Sequence, residues 1–365
     1  MQRKIQLIGL AAVAALWLLL TVIAWFGPKA DISETERRPL AQMPALSRET
    51  LLNGTFMEDF ESYTLDQFPL RDAFRRLKAS VHYHLLGQKD NNGIYIADGY
   101  AAELAYPLDT ESVDHALGVF RSVYDRYLKN TGSTIYTTVI PDKGCYLAEE
   151  NGYLRMDHDA LFQKVKKSMV YATYVDITDC LQTNSYYRTD THWRQEALLP
   201  VAQRLSAAMG LTAPKQEDYT KVAIDRPFYG VYYGQAALPM EPDTVYLLQN
   251  DALSDCRVYS YEQNAYTEVY NMDKLTSKDL YDVYLSGAES LLRIENPNAN
   301  TDRELIVFRD SYASSLIPLL VGDYQTVTLI DLRYLHASRL DRFVDFHGQD
   351  VLFIHSALVL NKKLI

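Results

Sequence analysis

Residues Ile5 to Phe26 form one apolar run, broken only by Gln6, Gly9 and Thr21. As a helix this stretch reaches about 33 Å, enough to cross the hydrocarbon core of a bilayer. Arg3 and Lys4 stand in front of it, which favours a cytoplasmic N-terminus. A cleaved signal peptide is the alternative, but the apolar core is long for one and no clear small-x-small site follows. A core helix is a second alternative, and its place at the extreme N-terminus argues against it. The expected organisation is a signal anchor over residues 1–27 and a linker over 28–45, where Pro28, Pro39 and Pro44 lie among charges. A domain outside the cytoplasm then occupies 46–365.

That domain has a globular composition, with 48% hydrophobic and 23% charged residues across the chain. A net charge of −11 spread along the sequence argues against a nucleic-acid partner, which would need a basic face. Cys145, Cys180 and Cys256 are odd in number and widely spaced, without a zinc pattern. One disulfide or none fits them equally, and no metal or other cofactor is expected. His82 and His84 lie two apart, on different sides of a helix, and read as packing or surface residues.

The periodicity predicts helices over 47–86, with an interruption at Asn53-Gly54, and from Thr110 to Gly132. Further helices are expected over 159–170, from about Arg194 to Met209, over 312–321 and from Arg339 to His347. Within 47–86, Phe74, Leu77, Val81 and Leu85 fall at helical spacing. Strands are expected at 133–140, 171–177, 304–308, 324–330 and 351–354, all rich in β-branched or aromatic residues. Helices alternating with buried strands imply an α/β fold with a mainly parallel sheet. Residues 211–300 are dense in tyrosine and carry short β-like runs at 244–248 and 256–261. They read either as a β-rich insertion with half-buried rings or as a surface whose rings stack on sugars.

Two short stretches carry the candidate chemistry. In Tyr186-Tyr187-Arg188-Thr189-Asp190-Thr191-His192-Trp193 a carboxylate stands two residues before an imidazole. In extended chain these two point to the same side, so Asp190 can hold one ring nitrogen of His192 and leave the other free as a base. Asp310-Ser311 follows the strand at 304–308, placing a hydroxyl at a strand-to-helix turn beside free N–H groups. The bland reading makes Asp190 a helix cap, His192 an ordinary polar residue and Ser311 an N-cap.

These stretches, with Asp-Ser-Tyr-Ala-Ser-Ser-Leu-Ile-Pro-Leu-Leu at 310–320, resemble the DHHW family, which is related to SGNH-like alginate O-acetyltransferases of bacterial cell envelopes. Glu36-Arg37-Arg38-Pro39-Leu40-Ala41, Asp66-Gln67-Phe68-Pro69-Leu70-Arg71-Asp72, Pro141-Asp142-Lys143 and Ile330-Asp331-Leu332-Arg333-Tyr334 carry the resemblance over most of the chain after residue 30. It implies a three-layer α/β/α fold of SGNH-hydrolase type, with Ser311 as nucleophile, His192 as base and Asp190 orienting it. Gly287, in Tyr-Leu-Ser-Gly at 284–287, is implied as an oxyanion donor. Lys143, Tyr187, Arg188 and Trp193 are expected on the oxyanion or substrate side. The pattern departs at Arg309, which replaces a glycine, and at Ala288, where relatives tend to carry Asn. Asn296 or Asn298 is a substitute without a spacing argument.

The activity so implied is O-acetyl transfer to a cell-envelope polysaccharide, with an integral-membrane acyltransferase as donor partner and no soluble cofactor. A carbohydrate esterase of the same fold and a non-catalytic carbohydrate-binding or assembly subunit are the alternatives.

Overall fold

The computed structural model describes residues 2–33 and 35–365; Met1 and Glu34 lie outside them. The chain divides into two compact units, one of residues 1–92 with 233–239, the other of 93–232 with 240–365.

The smaller unit begins with helix α1 (Gln2–Phe26), whose residues from Arg3 onward are long and apolar enough to cross a membrane. The expected helical region 47–86 is a chain of short helices: Arg48–Leu52, then α2 (Thr55–Asp66), α3 (Arg71–Ser80) and a wide turn of helix over Val81–Leu85. Gly54 marks the first break with a φ of 84°, a left-handed conformation that glycine adopts without strain. Ion pairs hold the unit together. Arg38 grips the Asp66 carboxylate with both terminal nitrogens, at 2.8 and 2.6 Å, and Arg71 and Arg75 both reach Glu36.

The larger unit is built on an eight-stranded sheet. Its strands are β1 (Thr134–Ile140), β2 (Thr173–Tyr174), β3 (Arg257–Ser260), β4 (Ala265–Thr267), β5 (Leu291–Glu295), β6 (Arg303–Arg309), β7 (Tyr324–Ile330) and β8 (Asp350–Ser356). The spatial order is β4-β3-β5-β7-β6-β8-β1-β2. The run β7-β6-β8-β1-β2 is parallel, and β5, β3 and β4 extend it with antiparallel pairings. Strands from the tyrosine-rich region thus belong to the central sheet.

Both faces of the parallel run are covered, as alternation along β6 shows. Leu305 and Val307 pack into one core with Val201, Leu205 and Met209 of helix α6 (Leu199–Met209). Ile306 and Phe308 pack into the other with helices α4 (Thr110–Val123) and α5 (His158–Ser168). Strands buried on both faces read as near-continuous apolar runs, which is why β6 and β8 were legible. The architecture is the expected three-layer α/β/α arrangement.

The strand expected at 171–177 shortens to Thr173–Tyr174, and three further expected helices differ. The helix expected from Arg194 is a single tight turn at Gln195–Ala197 followed by α6, because Pro200 fits only the first turn of a helix. Residues 313–319 form two short turns around Pro318 instead of one helix. The helix expected from Arg339 is a tight turn over Ala337–Arg342.

Candidate active site

The carboxyl edge of the parallel strands gathers the chemistry. β6 runs out into Asp310 and Ser311, and β1 runs out into Pro141, Asp142 and Lys143. Open α/β sheets bind ligands at this edge. Asp310 braces the turn, its Oδ1 accepting from Tyr312 N–H and its Oδ2 from the Ser356 N–H at the end of β8.

The Asp190–His192 segment is a hairpin. Tyr186 and Trp193 form a bridge, and the Tyr187 N–H donates to the His192 carbonyl. Two groups from distant sequence hold its tip. Asp243 accepts from the N–H groups of Arg188 and Thr189, both at 2.8 Å, and from the Thr189 hydroxyl at 2.6 Å. From below, the Lys143 ammonium donates to the carbonyls of Ala101, Tyr187 and Asp190, at 2.6, 2.6 and 2.9 Å. Burial pulls the Lys143 pKa down to about 7, while Asp243, Asp190 and Asp142 oppose the drop. Three acceptors for three ammonium hydrogens leave nothing for a ligand. Lys143 is therefore a strut under the hairpin, where the sequence placed it on the substrate side.

Three side chains form one hydrogen-bonded line. Asp190 Oδ2 lies 2.7 Å from His192 Nδ1, and His192 Nε2 lies 2.8 Å from Ser311 Oγ. Asp190 is fully buried, and its other carboxylate oxygen accepts from Val231 N–H at 2.8 Å. The Val231 and His192 N–H groups steady the Asp190 carboxylate; the helix that follows the hairpin, α6, begins only at Leu199. Asp190 has no space to spare. A Cβ at Gly230 would fall 2.1 Å from the Asp190 Cβ.

His192 is enclosed by aromatic rings. Tyr281 stacks on the imidazole, with centroids 3.8 Å apart and planes 9° from parallel, and Tyr312 lies tilted at 4.8 Å. The Tyr281 hydroxyl is fixed by the Tyr312 carbonyl and the Ser315 hydroxyl. Trp193 and Tyr187, expected on the substrate side, are both fully buried. Trp193 donates its indole N–H to the Tyr312 carbonyl, and Tyr187 packs edge-on against Phe228. Both side chains belong to the buried core that also holds Tyr186, Phe228 and Tyr312. Arg188 stays exposed, its guanidinium 5.9 Å from the centre of the Tyr100 ring.

Gly287 lies in a loop on the same edge, since β5 starts there antiparallel to β7. Leu285, Ser286 and Gly287 are all left-handed, with φ of 52°, 64° and 86°. In this turn the Gly287 N–H donates to the Tyr284 carbonyl, so it is not an open oxyanion donor. Arg309 ties the loop to β6 by donating to the Glu289 carbonyl at 3.1 Å. Asn296 and Asn298 follow the far end of β5, at the opposite edge of the sheet. They bond to the Val321 carbonyl and Asp255 instead.

Of the tyrosines in 211–300, Tyr232, Tyr270, Tyr281 and Tyr284 are buried, while Tyr229 and Tyr266 are exposed. The three cysteines are free thiols. No cluster of three or more His, Cys, Asp or Glu side chains suited to a metal occurs among the described residues.

The DHHW protein family model matches residues 153–330, which contain the hairpin, the tyrosine-rich region and Ser311. The resemblance read from the sequence is thus borne out. The fold is shared with a DHHW family protein from Eubacterium siraeum, at 19% identity and a TM-score of 0.62, covering 75% of this chain and 93% of that one. It is shared also with PatB1 of Bacillus cereus, at 16% identity and a TM-score of 0.59, covering 74% and 98%. A second PatB1 structure, carrying a sulfonyl adduct, matches at 16% identity and a TM-score of 0.56, covering 74% and 97%. None of the curated proteins matches by sequence.

Proposed function

We propose that this chain is a membrane-anchored O-acyltransferase that acts outside the cytoplasm and places acetyl groups on hydroxyls of a cell-envelope polysaccharide. The observation that carries the reading is the unbroken line from Ser311 Oγ through His192 to Asp190, at 2.8 and 2.7 Å. It joins residues more than a hundred positions apart at the edge of the sheet where α/β enzymes work. The shared fold with PatB1, one of whose structures holds a sulfonyl adduct, supports a nucleophilic site, since activated hydroxyls attack sulfonyl electrophiles.

In this reading Ser311 Oγ attacks the donor's acyl carbon while His192 Nε2 takes the hydroxyl proton. The C–O bond to the donor then breaks, and His192 returns the proton to the departing oxygen. A sugar hydroxyl next attacks the acyl-Ser311 ester, giving its proton to Nε2, and Ser311 leaves with that proton restored. Asp190 holds Nδ1 protonated throughout and stabilises the imidazolium in each half. The Ser311 N–H is assigned as one oxyanion donor. Gly287 joins it only by giving up its bond to the Tyr284 carbonyl. The acyl donor is supplied by an integral-membrane acyltransferase, and α1 keeps the site at that membrane.

Transfer is the test. The full chain in detergent is given p-nitrophenyl acetate and a set of oligosaccharides, and the sugars are analysed for new acetyl esters. Acetylated sugar with the wild type, and none with Ser311→Ala, supports the proposal. Free acetate released at a rate indifferent to every sugar would make this an esterase. No turnover at all would favour the carbohydrate-binding subunit.

A further inference from the structure

Helix α3 and the turn after it are inside out. Their apolar stripe Leu70, Phe74, Leu77 and Leu85 faces outward, with exposures of 69%, 45%, 61% and 77%, while Val81 between them is half-buried. The face turned inward carries Arg71 and Arg75, paired with Glu36. An amphipathic helix in water does the opposite, so this stripe is covered by something else.

Two observations identify what covers it. The first is continuity with α1. Trp25 of α1 meets Phe60 of α2 at 6.3 Å between ring centres, and Trp17, Leu20, Phe60 and Phe68 line one cleft of about 230 Å³. Phe68 in turn meets Phe74 of the stripe, edge to face at 5.6 Å. Trp25 is one residue from the end of α1, so a helix that crosses a bilayer to Phe26 brings Phe60 and, through Phe68, the stripe to the depth of the headgroups. The second observation is charge. Of the four basic residues in 70–86, Arg71 and Arg75 are taken up by Glu36, and Arg76 and Lys78 stay exposed, in a chain whose net charge is −11. A basic, outward-apolar helix suits an anionic lipid surface.

We propose that α3 and the Val81–Leu85 turn lie in the membrane interface beside α1, with Leu70, Phe74, Leu77 and Leu85 among the acyl chains and Arg76 and Lys78 at the phosphates. The proposal rests on the reading of α1 as a membrane span. It gives the smaller unit a role as a lipid-bound collar that goes beyond a single-helix tether.

The test uses the full chain with Cys145, Cys180 and Cys256 changed to Ser and Leu77→Cys carrying an NBD label. The protein is reconstituted into phosphatidylcholine vesicles containing phosphatidylglycerol, with doxyl-labelled lipid or aqueous iodide as quencher. Glu217→Cys, on the exposed surface of the larger unit, is the aqueous reference. The label at 77 should be quenched by doxyl lipid at least about threefold more than the reference, and by iodide about threefold less. Leu85→Cys repeats the measurement should the first variant fold poorly. Iodide access equal to the reference overturns the collar while leaving the anchor intact. Protection from both quenchers, with crosslinking between labelled positions of two copies, also overturns it, because the stripe then belongs to a protein interface. Failure of the wild type to float with vesicles overturns the anchor and the collar together.

Discussion

Replacing Gly230 by alanine disturbs the candidate triad from behind without substituting any of its members. The added Cβ would lie 2.1 Å from the Asp190 Cβ, 2.4 Å from its Cα and 2.6 Å from its Oδ1. An ordinary carbon–carbon contact is about 3.5 Å, so one backbone must retreat by about 1.4 Å. Asp190 cannot yield cheaply, because its carbonyl is held by Lys143 and its carboxylate by Val231 and His192. Overpacking of this kind costs about 1–3 kcal/mol. A shift of about 1 Å at the carboxylate is expected to cost about a hundredfold in turnover, since catalysis depends on the alignment of the line. The assay is acetyl-ester turnover by purified full chain, with thermal unfolding measured alongside. Gly322→Ala, where a Cβ meets nothing within 4 Å, is the control and should leave both unchanged. Turnover of Gly230→Ala within threefold of wild type would refute the claim that this contact fixes Asp190.

Lys143→Met leaves three buried carbonyls without their donor and should lower the unfolding free energy by at least about 3 kcal/mol in urea titrations. Tyr281→Leu removes the ring stacked on His192 and should reduce turnover up to about tenfold, whereas Tyr281→Phe keeps the face and should stay within a few-fold, both read from kcat on the acetyl ester. Arg38 holds the Asp66 carboxyl well below its ordinary 3.8, at about 2. Because the folded pKa is the lower one, this pair contributes stability at neutral pH that is lost as pH falls from about 4 through about 2. Thermal unfolding followed across that window should flatten in Asp66→Asn.

The sequence made the parallel strands legible because residues buried on both faces leave a continuous apolar run, as at Leu305 to Phe308. It also made the Asp190–His192 pair legible, because two residues in one extended segment meet whatever the rest of the chain does. Residues that act on the pair from elsewhere in the sequence were not legible. Gly230 and Asp243 come from a region without clear periodicity, and their importance lies in a steric contact and in bonds to backbone N–H groups, neither of which leaves a pattern. Tyr281 sat among eleven tyrosines with nothing to set it apart. Lys143 was noticed for the right reason, its place beyond a strand end, yet burial turned it inward. The stripe at Leu70 to Leu85 had the right spacing for a helix, but spacing alone does not say whether an apolar face meets a core or a membrane.

In the proposed mechanism Ser311, activated by His192, carries the acyl group. The most direct measurement is the intact mass of the full chain after brief exposure to p-nitrophenyl acetate, followed by peptide mapping. One acetyl group is expected on the peptide containing Ser311, with no such adduct in Ser311→Ala and strongly slowed labelling in His192→Ala. Equal labelling of wild type and Ser311→Ala, or an acetyl group mapped only to other residues, would contradict it.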